Sequence, residues 1–91
     1  MKVKPFNPAE YLQTDEEIAE YLNQAYDDED PEVFVIALGN VIRAQGVAEV
    51  ARRAGLNRES LYKLISGKTR PKWETVHALM RALGLKLRTA A

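Results

Sequence analysis

Five polar side chains near the middle of the chain have the spacing of one helix face. Positions separated by three or four residues share a face of a helix, and this face would carry Arg58, Glu59, Tyr62, Lys63 and Ser66. Basic side chains there can donate to the N7 and O6 acceptors of guanine, and a carboxylate can accept from the cytosine amino group. The pattern therefore predicts a surface that reads DNA bases. The alternative is an ordinary solvated helix face, with Glu59 and Lys63 as an i,i+4 ion pair.

The segments beside this face supply further groups for DNA. Residues 66–72 form a cationic loop rich in turn residues, and its charges suit contacts to phosphates, with plain solvation as the alternative. Its Gly-Lys-Thr triplet lacks the upstream glycine and the preceding strand of a nucleotide-binding loop, so we reject a nucleotide site. The predicted DNA-binding residues are Gln45, Asn57, Arg58, Glu59, Ser60, Tyr62, Lys63, Ser66, Lys68, Thr69, Arg70 and Lys72. Arg58 and Lys63 are the best candidates for base edges.

The polar face described above would lie on the second of two short helices that meet at a glycine. An apolar stripe runs from Val47 to Ala54, and Gly55 can then take the left-handed conformation that ends a helix. Asn57 is typical of a residue that caps the next helix. Leu61 and the aliphatic residues after it point inward. This arrangement predicts a helix-turn-helix, whose second helix can enter the major groove of DNA.

Two further helices are predicted before this motif. Thr14 and Glu17 have the spacing of a capping box, and an apolar stripe over residues 18–26 follows them. Asp30 and Pro31 open a second helix, so apolar that we expect it to be the most buried. Its Gly39 is expected to allow close contact with another helix.

The C-terminal part predicts one helix and a short strand. Residues 73–83 form an apolar stripe in which Trp73 is expected to anchor the core, with Leu79 at its flank. Residues 85–88 alternate with a period of two, which favours a short terminal strand. The predicted fold is all-α: a compact bundle of about five to six helices in one domain, with the short strand added at its end.

Charge divides the chain into two parts. Residues 1–33 carry a balance of −8 and residues 34–91 a balance of +8. The second part suits a polyanion, whereas the first would repel one and attract a basic partner. Cysteine is absent, and His77 is the single histidine, so we expect no metal, no cofactor and no enzymatic activity. Neither a membrane span nor a signal peptide is evident, which is compatible with a cytoplasmic protein.

Two resemblances to known families add to these predictions. The segment SGKTRPKWETVHALMRALGL, after the second helix of the motif, resembles the Xre/Cro, phage-repressor type of helix-turn-helix domain, with its lambda-repressor-like fold. That resemblance covers roughly residues 31–85. Together with the opening NPAEYLQTDEEIAEYLNQAYDDEDPEVFVIALGNVIRAQG, the whole chain is similar to the small addiction-module antitoxins related to HigA.

The second resemblance implies an antitoxin that binds a RelE/HigB-like ribonuclease toxin and represses its own operon by binding double-stranded DNA. One domain of this size makes few contacts to DNA, so tight binding suggests a homodimer on two half-sites. Residues 1–30 would be the toxin-binding region and residues 31–85 the DNA-binding core. The toxin-facing residues would be Phe6, Tyr11, Leu12, Glu16, Glu20 and Asp28. Leu85 and Leu87 are candidates for pairing across a dimer or for docking on the N-terminal segment. The alternatives are a stand-alone Xre/Cro repressor and an interaction module that has lost its DNA face.

One departure from the phage-repressor pattern concerns the base-reading positions. Those families commonly carry glutamines where this chain has Arg58, Glu59 and Lys63. The operator of a relative therefore cannot be carried over to this protein.

Overall fold

A computed structural model describes residues 12–86 and shows five helices in this range. They are α1 (Asp15–Tyr26), α2 (Pro31–Gln45), α3 (Val47–Ala54), α4 (Arg58–Ile65) and α5 (Trp73–Ala82). The predicted all-helical bundle is confirmed. The described residues contain no strand: Leu85 and Lys86 are irregular, and the rest of the predicted strand, including Leu87, lies outside them.

The first two helices begin where their capping residues predict. The Thr14 hydroxyl accepts from the Glu17 amide at 3.1 Å, and the Thr14 amide donates to the Glu17 carboxylate at 3.2 Å. Asp30 accepts from the Glu32 amide at 2.9 Å, and Pro31 follows it as the first helical residue. Both caps satisfy amides that have no partner inside the helix, so the helix starts are fixed locally.

Helix α2 lies at the centre of the fold. Its Leu38, Val41 and Ile42 are fully buried, as expected for the most apolar helix. Helix α1 packs on one side of α2, and α4 packs on another, while α5 packs mainly on α3. The fully buried set is completed by one residue from each of α3, α4 and α5: Val50, Leu61 and Leu79. One side of α4 therefore packs in the core, and its other side faces the solvent.

Two aromatic residues lie outside the core, which corrects the sequence-based prediction. Trp73 is 61% exposed and packs against the ring of His77, with 5.8 Å between the ring centroids. Leu79, predicted to flank the stripe, is the fully buried residue of α5 because that side of the helix packs toward α3. Tyr26, at the end of the α1 stripe, is 71% exposed and meets Phe34 edge-on.

No single helix within residues 12–86 is long and apolar enough to cross a membrane. Helices α2 and α3 reach that length and hydropathy only when taken together, and the chain bends by 104° at the break between them.

Gly39 lies where α2 meets the end of α4, so the predicted helix contact is present, but the contact does not require a glycine. A Cβ at this position would lie 3.6 Å from the Ile65 Cα, an ordinary van der Waals contact. We expect Gly39→Ala to raise the free energy of unfolding by about 0.5–1 kcal/mol, since it restores helix propensity without a clash. Urea unfolding followed by circular dichroism measures this difference.

The matched variant is Gly39→Leu, which places a large side chain against the Ile65 backbone. Overpacking of this kind costs about 1–3 kcal/mol. A loss of stability in Gly39→Ala would mean that α2 and α4 lie closer together than the structure shows.

Candidate nucleic-acid interface

The turn between α3 and α4 is built by local hydrogen bonds. Gly55 has φ +69°, and its amide donates to the Arg52 carbonyl at 3.3 Å. The Leu56 amide donates to the Ala51 carbonyl at 2.9 Å, which completes a Schellman ending for α3. Asn57 then accepts from the Glu59 amide at 2.7 Å and caps α4. The predicted roles of Gly55 and Asn57 are confirmed, and α4 starts directly after the turn.

Helix α4 has one buried side and one exposed side. Leu61 and Leu64 are buried, whereas Ile65 is partly buried against Gly39 of α2. The five residues of the predicted DNA face are all exposed: Arg58, Glu59, Tyr62, Lys63 and Ser66. Ser60, predicted separately as a DNA contact, is exposed as well. The structure therefore brings the predicted base-reading set together on one solvent-facing surface, which we call the α4 face.

The chain after α4 folds back over the end of that helix. Gly67 has φ +77°, and the Lys68 amide donates to the Lys63 carbonyl at 3.0 Å. The Ser66 hydroxyl donates to the same carbonyl, also at 3.0 Å. These bonds hold the cationic loop next to the last turn of α4. Its Lys68, Thr69 and Lys72 are exposed.

Most of the predicted DNA-contacting cations have no ion-pair partner in the described part of the chain. None of the ion pairs within residues 12–86 involves Arg58, Lys63, Lys68 or Lys72. Arg70 differs, because its guanidinium lies 3.3 Å from the Glu32 carboxylate at the start of α2. Both side chains of that pair are largely exposed, and such pairs contribute little free energy, so a phosphate can compete for Arg70.

Gln45, the remaining predicted contact, is exposed at the last position of α2. The chain turns sharply after it, because Gly46 has φ +98° and α3 begins at the next residue.

A charged cluster on α3 was missed by the sequence analysis. Arg52 and Arg53 both donate to Glu49, Arg53 from its Nε at 2.9 Å. The hydrogen bond from Arg52, followed by that from Arg53, lowers the pKa of the Glu49 carboxyl, and Glu49 raises the pKa of Arg52. The i,i+3 and i,i+4 spacing of these residues was the available signal. The cluster leaves one net positive charge just before the turn into α4.

The predicted toxin-facing residues differ in their accessibility. Glu16 and Glu20 are exposed on α1, and Glu20 accepts from the Gln24 amide at 3.2 Å. Asp28 is exposed, and its carboxylate accepts from the Asp30 amide at 2.8 Å, so it also holds the turn before α2. Leu12 is only 3% exposed and belongs to the core, which corrects its assignment to a contact surface. Phe6 and Tyr11 lie outside the described residues.

The predicted dimer residues are described only in part. Leu85 is partly buried against the core, and its amide donates to the Met80 carbonyl at 2.9 Å to close α5. Leu87 lies outside the described residues. No group of three or more metal-ligating side chains is found within residues 12–86.

Comparison with known proteins places this chain in a family. A family model described as "Probable addiction module antidote protein" matches residues 2–91. An uncharacterized protein of Haemophilus influenzae (strain Rd) is 41% identical over 85 residues, which cover 93% of this chain and 88% of that protein. No solved structure matches the chain. With nearly its full length matched by the family model, the chain belongs to the family of probable addiction module antidote proteins.

Proposed function

We propose that this chain is the antitoxin of a type II toxin–antitoxin module. It binds and neutralises a RelE/HigB-like toxin, and it represses its own operon by sequence-specific binding to double-stranded DNA. The family membership supports the antitoxin role, because an addiction module antidote implies a toxin partner. The toxin itself is the ribonuclease, so this chain acts by binding and needs no catalytic group.

The observation that carries the DNA-binding part is the α4 face. A short, capped helix presents two unpaired cations, Arg58 and Lys63, on its open side while Leu61 and Leu64 hold its other side in the core. The tight turn at Gly55 joins it to α3 as in a helix-turn-helix of the Xre/Cro type. The α4 face enters the major groove, and the adjoining loop contacts phosphates through Lys68 and its neighbours.

The separation of acidic from basic residues along the chain supports two distinct binding surfaces, one for the toxin and one for DNA. Between residues 12 and 33 the chain has acidic side chains and no basic one, whereas α3, α4 and the following loop are predominantly basic. Residues 1–30 thus suit a basic toxin, and residues 31–85 suit DNA. As a regulator of its own operon, the protein acts in the cytoplasm.

The test of this proposal uses the full-length protein and the DNA upstream of its own gene. We expect fluorescence anisotropy to show tighter binding to this DNA than to a scrambled duplex of equal length, with affinity falling steeply as salt rises. A tagged pull-down from the native host should also retain a small basic protein in stoichiometric amount. DNA binding without such a protein favours a stand-alone repressor, and equal binding to both duplexes contradicts operator recognition.

Charge reversal on α1 tests the toxin-binding surface. We expect the double variant Glu16→Lys, Glu20→Lys to weaken toxin binding about tenfold, because each change replaces an attraction to a basic partner by a repulsion. Calorimetric titration of the purified toxin measures the affinity at low and high salt.

The control for charge reversal is the neutral pair Glu16→Gln, Glu20→Gln, which should give a smaller loss in the same direction. DNA binding should be retained in both variants, since Glu16 and Glu20 lie on α1, outside the helix-turn-helix of α3 and α4. An unaltered toxin affinity after charge reversal would place the toxin on another surface.

A further inference from the structure

The last turn of α1 ends in an aromatic side chain that the core does not cover. Tyr26 continues the apolar stripe of this helix, yet it is 71% exposed. Its ring meets Phe34 of α2 edge-on, with 6.2 Å between the ring centroids, and Phe34 packs partly against the core. The Tyr26 ring is therefore supported from one side and open to solvent on the other.

A run of four acidic residues, at positions 27–30, follows this aromatic side chain directly. Two of the four have a structural role, because the Asp28 carboxylate accepts from the Asp30 amide at 2.8 Å and Asp30 caps α2. The other two are Asp27 and Glu29, which are both exposed. Neither of these side chains takes part in a hydrogen bond or an ion pair within residues 12–86. Their charges are therefore available to a partner.

Asp27 lies at the end of a helix where a negative charge is unfavourable. It is the C-cap residue of α1, and the backbone carbonyls give this end of a helix a partial negative charge. The last turn of α1 contains no basic residue that would offset the carboxylate. An arrangement that breaks a local rule without an internal compensation is typical of a functional site.

The exposed face of α1 leads to the same place. Glu16, Glu20 and Asp27 are separated by four and seven residues, which places them on one face of the helix. The proposed toxin-binding surface thus ends beside Tyr26. No basic residue occurs between positions 12 and 33, so this face is negatively charged along its whole length.

We propose that four residues at this position anchor a basic side chain of the toxin; we call them the Tyr26 corner: Tyr26, Asp27, Glu29 and Phe34. The inference rests on the antitoxin function proposed above and identifies one central contact of that interface. An arginine or lysine of the toxin lies against the Tyr26 ring, and the two free carboxylates flank its charge. Tyrosine is enriched among the residues that dominate binding energy, and Phe34 already positions this ring, so binding requires little ordering.

Acidic surroundings distinguish Tyr26 from the other exposed aromatic side chains of residues 12–86. Tyr62 lies on the α4 face, and Trp73 follows the cationic loop, so both are next to basic residues. The acids beside Tyr26 would repel DNA phosphates. A second copy packed corner to corner would bring like charges together. A basic protein is the occupant that the charges favour.

The experiment uses the full-length protein and the small basic protein that the pull-down retains, in calorimetric titrations. We expect Tyr26→Ala to raise the Kd for this toxin at least tenfold, whereas Tyr26→Phe, which keeps the ring, should stay within about threefold of the unmodified protein. The control is Trp73→Ala, which removes a similarly exposed aromatic side chain from α5 and should leave the Kd unchanged. Circular dichroism in urea checks that each variant is folded.

Neutralisation of the two free carboxylates tests the electrostatic part of the contact. The double variant Asp27→Asn, Glu29→Gln should raise the toxin Kd several-fold and make it less dependent on salt. Its urea midpoint should not fall, because neither carboxylate has a partner within residues 12–86. A purely structural role of these carboxylates would lower the midpoint instead.

The outcomes separate this inference from the antitoxin proposal. Normal toxin binding by Tyr26→Ala overturns the Tyr26 corner alone, whereas an unmodified protein that retains no basic protein overturns both. Equal losses in Tyr26→Ala and Tyr26→Phe overturn the corner too, since the contact would then be made by the hydroxyl. If Tyr26→Ala changes the sedimentation of the protein alone and leaves toxin affinity unaltered, a second copy binds there and the inference is wrong.

Discussion

Replacement of Leu38 by alanine is expected to lower the free energy of unfolding by about 2–5 kcal/mol. Leu38 is fully buried in α2, the helix against which both α1 and α4 pack. The variant loses the burial of its side chain and leaves a cavity that helices on two sides cannot both fill. Small domains are stable by only about 5–15 kcal/mol, so this single change removes a large share of the total. Urea unfolding followed by circular dichroism measures it.

The chain contains a closely matched control two residues away. Ile36 is on the same helix and has a side chain isomeric with leucine, but it is 63% exposed. Ile36→Ala is therefore expected to change the stability by no more than about 0.5 kcal/mol. Equal losses in the two variants would show that Leu38 does not lie at the centre of the core.

Local signals in the sequence predicted the helix ends accurately. Thr14, Asp30 and Asn57 each cap the helix that they were expected to cap, and Gly55 takes the left-handed conformation. These features depend on a few neighbouring residues, so they are encoded where they occur. The same holds for the α4 face, since its exposed residues follow from helical spacing once Leu61 and Leu64 point inward.

Features set by tertiary contacts were less predictable. Helix α5 is apolar over more than one face, and periodicity alone could not decide whether Trp73 or Leu79 enters the core. The contact with α3 decides it in favour of Leu79. The ion pair between Arg70 and Glu32 joins residues that are 38 positions apart, a distance at which no spacing rule applies. The burial of Leu12 likewise depends on the packing of helices.

One turn of α2 connects the acidic and the basic parts of the molecule. Asn40 donates to the Tyr21 hydroxyl of α1 at 2.9 Å. Its neighbour Gly39 meets Ile65 at the end of α4. Because successive helix positions point in different directions, these two residues hold α1 and α4 on different sides of α2. The proposed toxin-binding and DNA-binding surfaces are therefore attached to one rigid, buried helix.

Arg58→Ala is expected to weaken operator binding by about 1–3 kcal/mol and to relax the preference at one base pair. Arg58 is the first residue of α4, is exposed and takes no part in the ion pairs of residues 12–86. Its guanidinium is therefore free to form the bidentate contact to guanine that gives direct readout. Anisotropy titrations against the operator and a set of its single-base variants measure both the affinity and the specificity.

The control for Arg58→Ala is Lys68→Ala. Lys68 lies in the loop held against the last turn of α4, where it suits a phosphate, so its loss should weaken binding to all sequences alike and reduce the salt slope by about one. Arg58→Ala should instead reduce the difference in binding affinity between operator and scrambled DNA. Because Arg58 is exposed, we expect this variant to unfold at the same midpoint as the unmodified protein. If Arg58→Ala weakens both duplexes equally, the residue contacts the backbone and the base-reading role of the start of α4 is wrong.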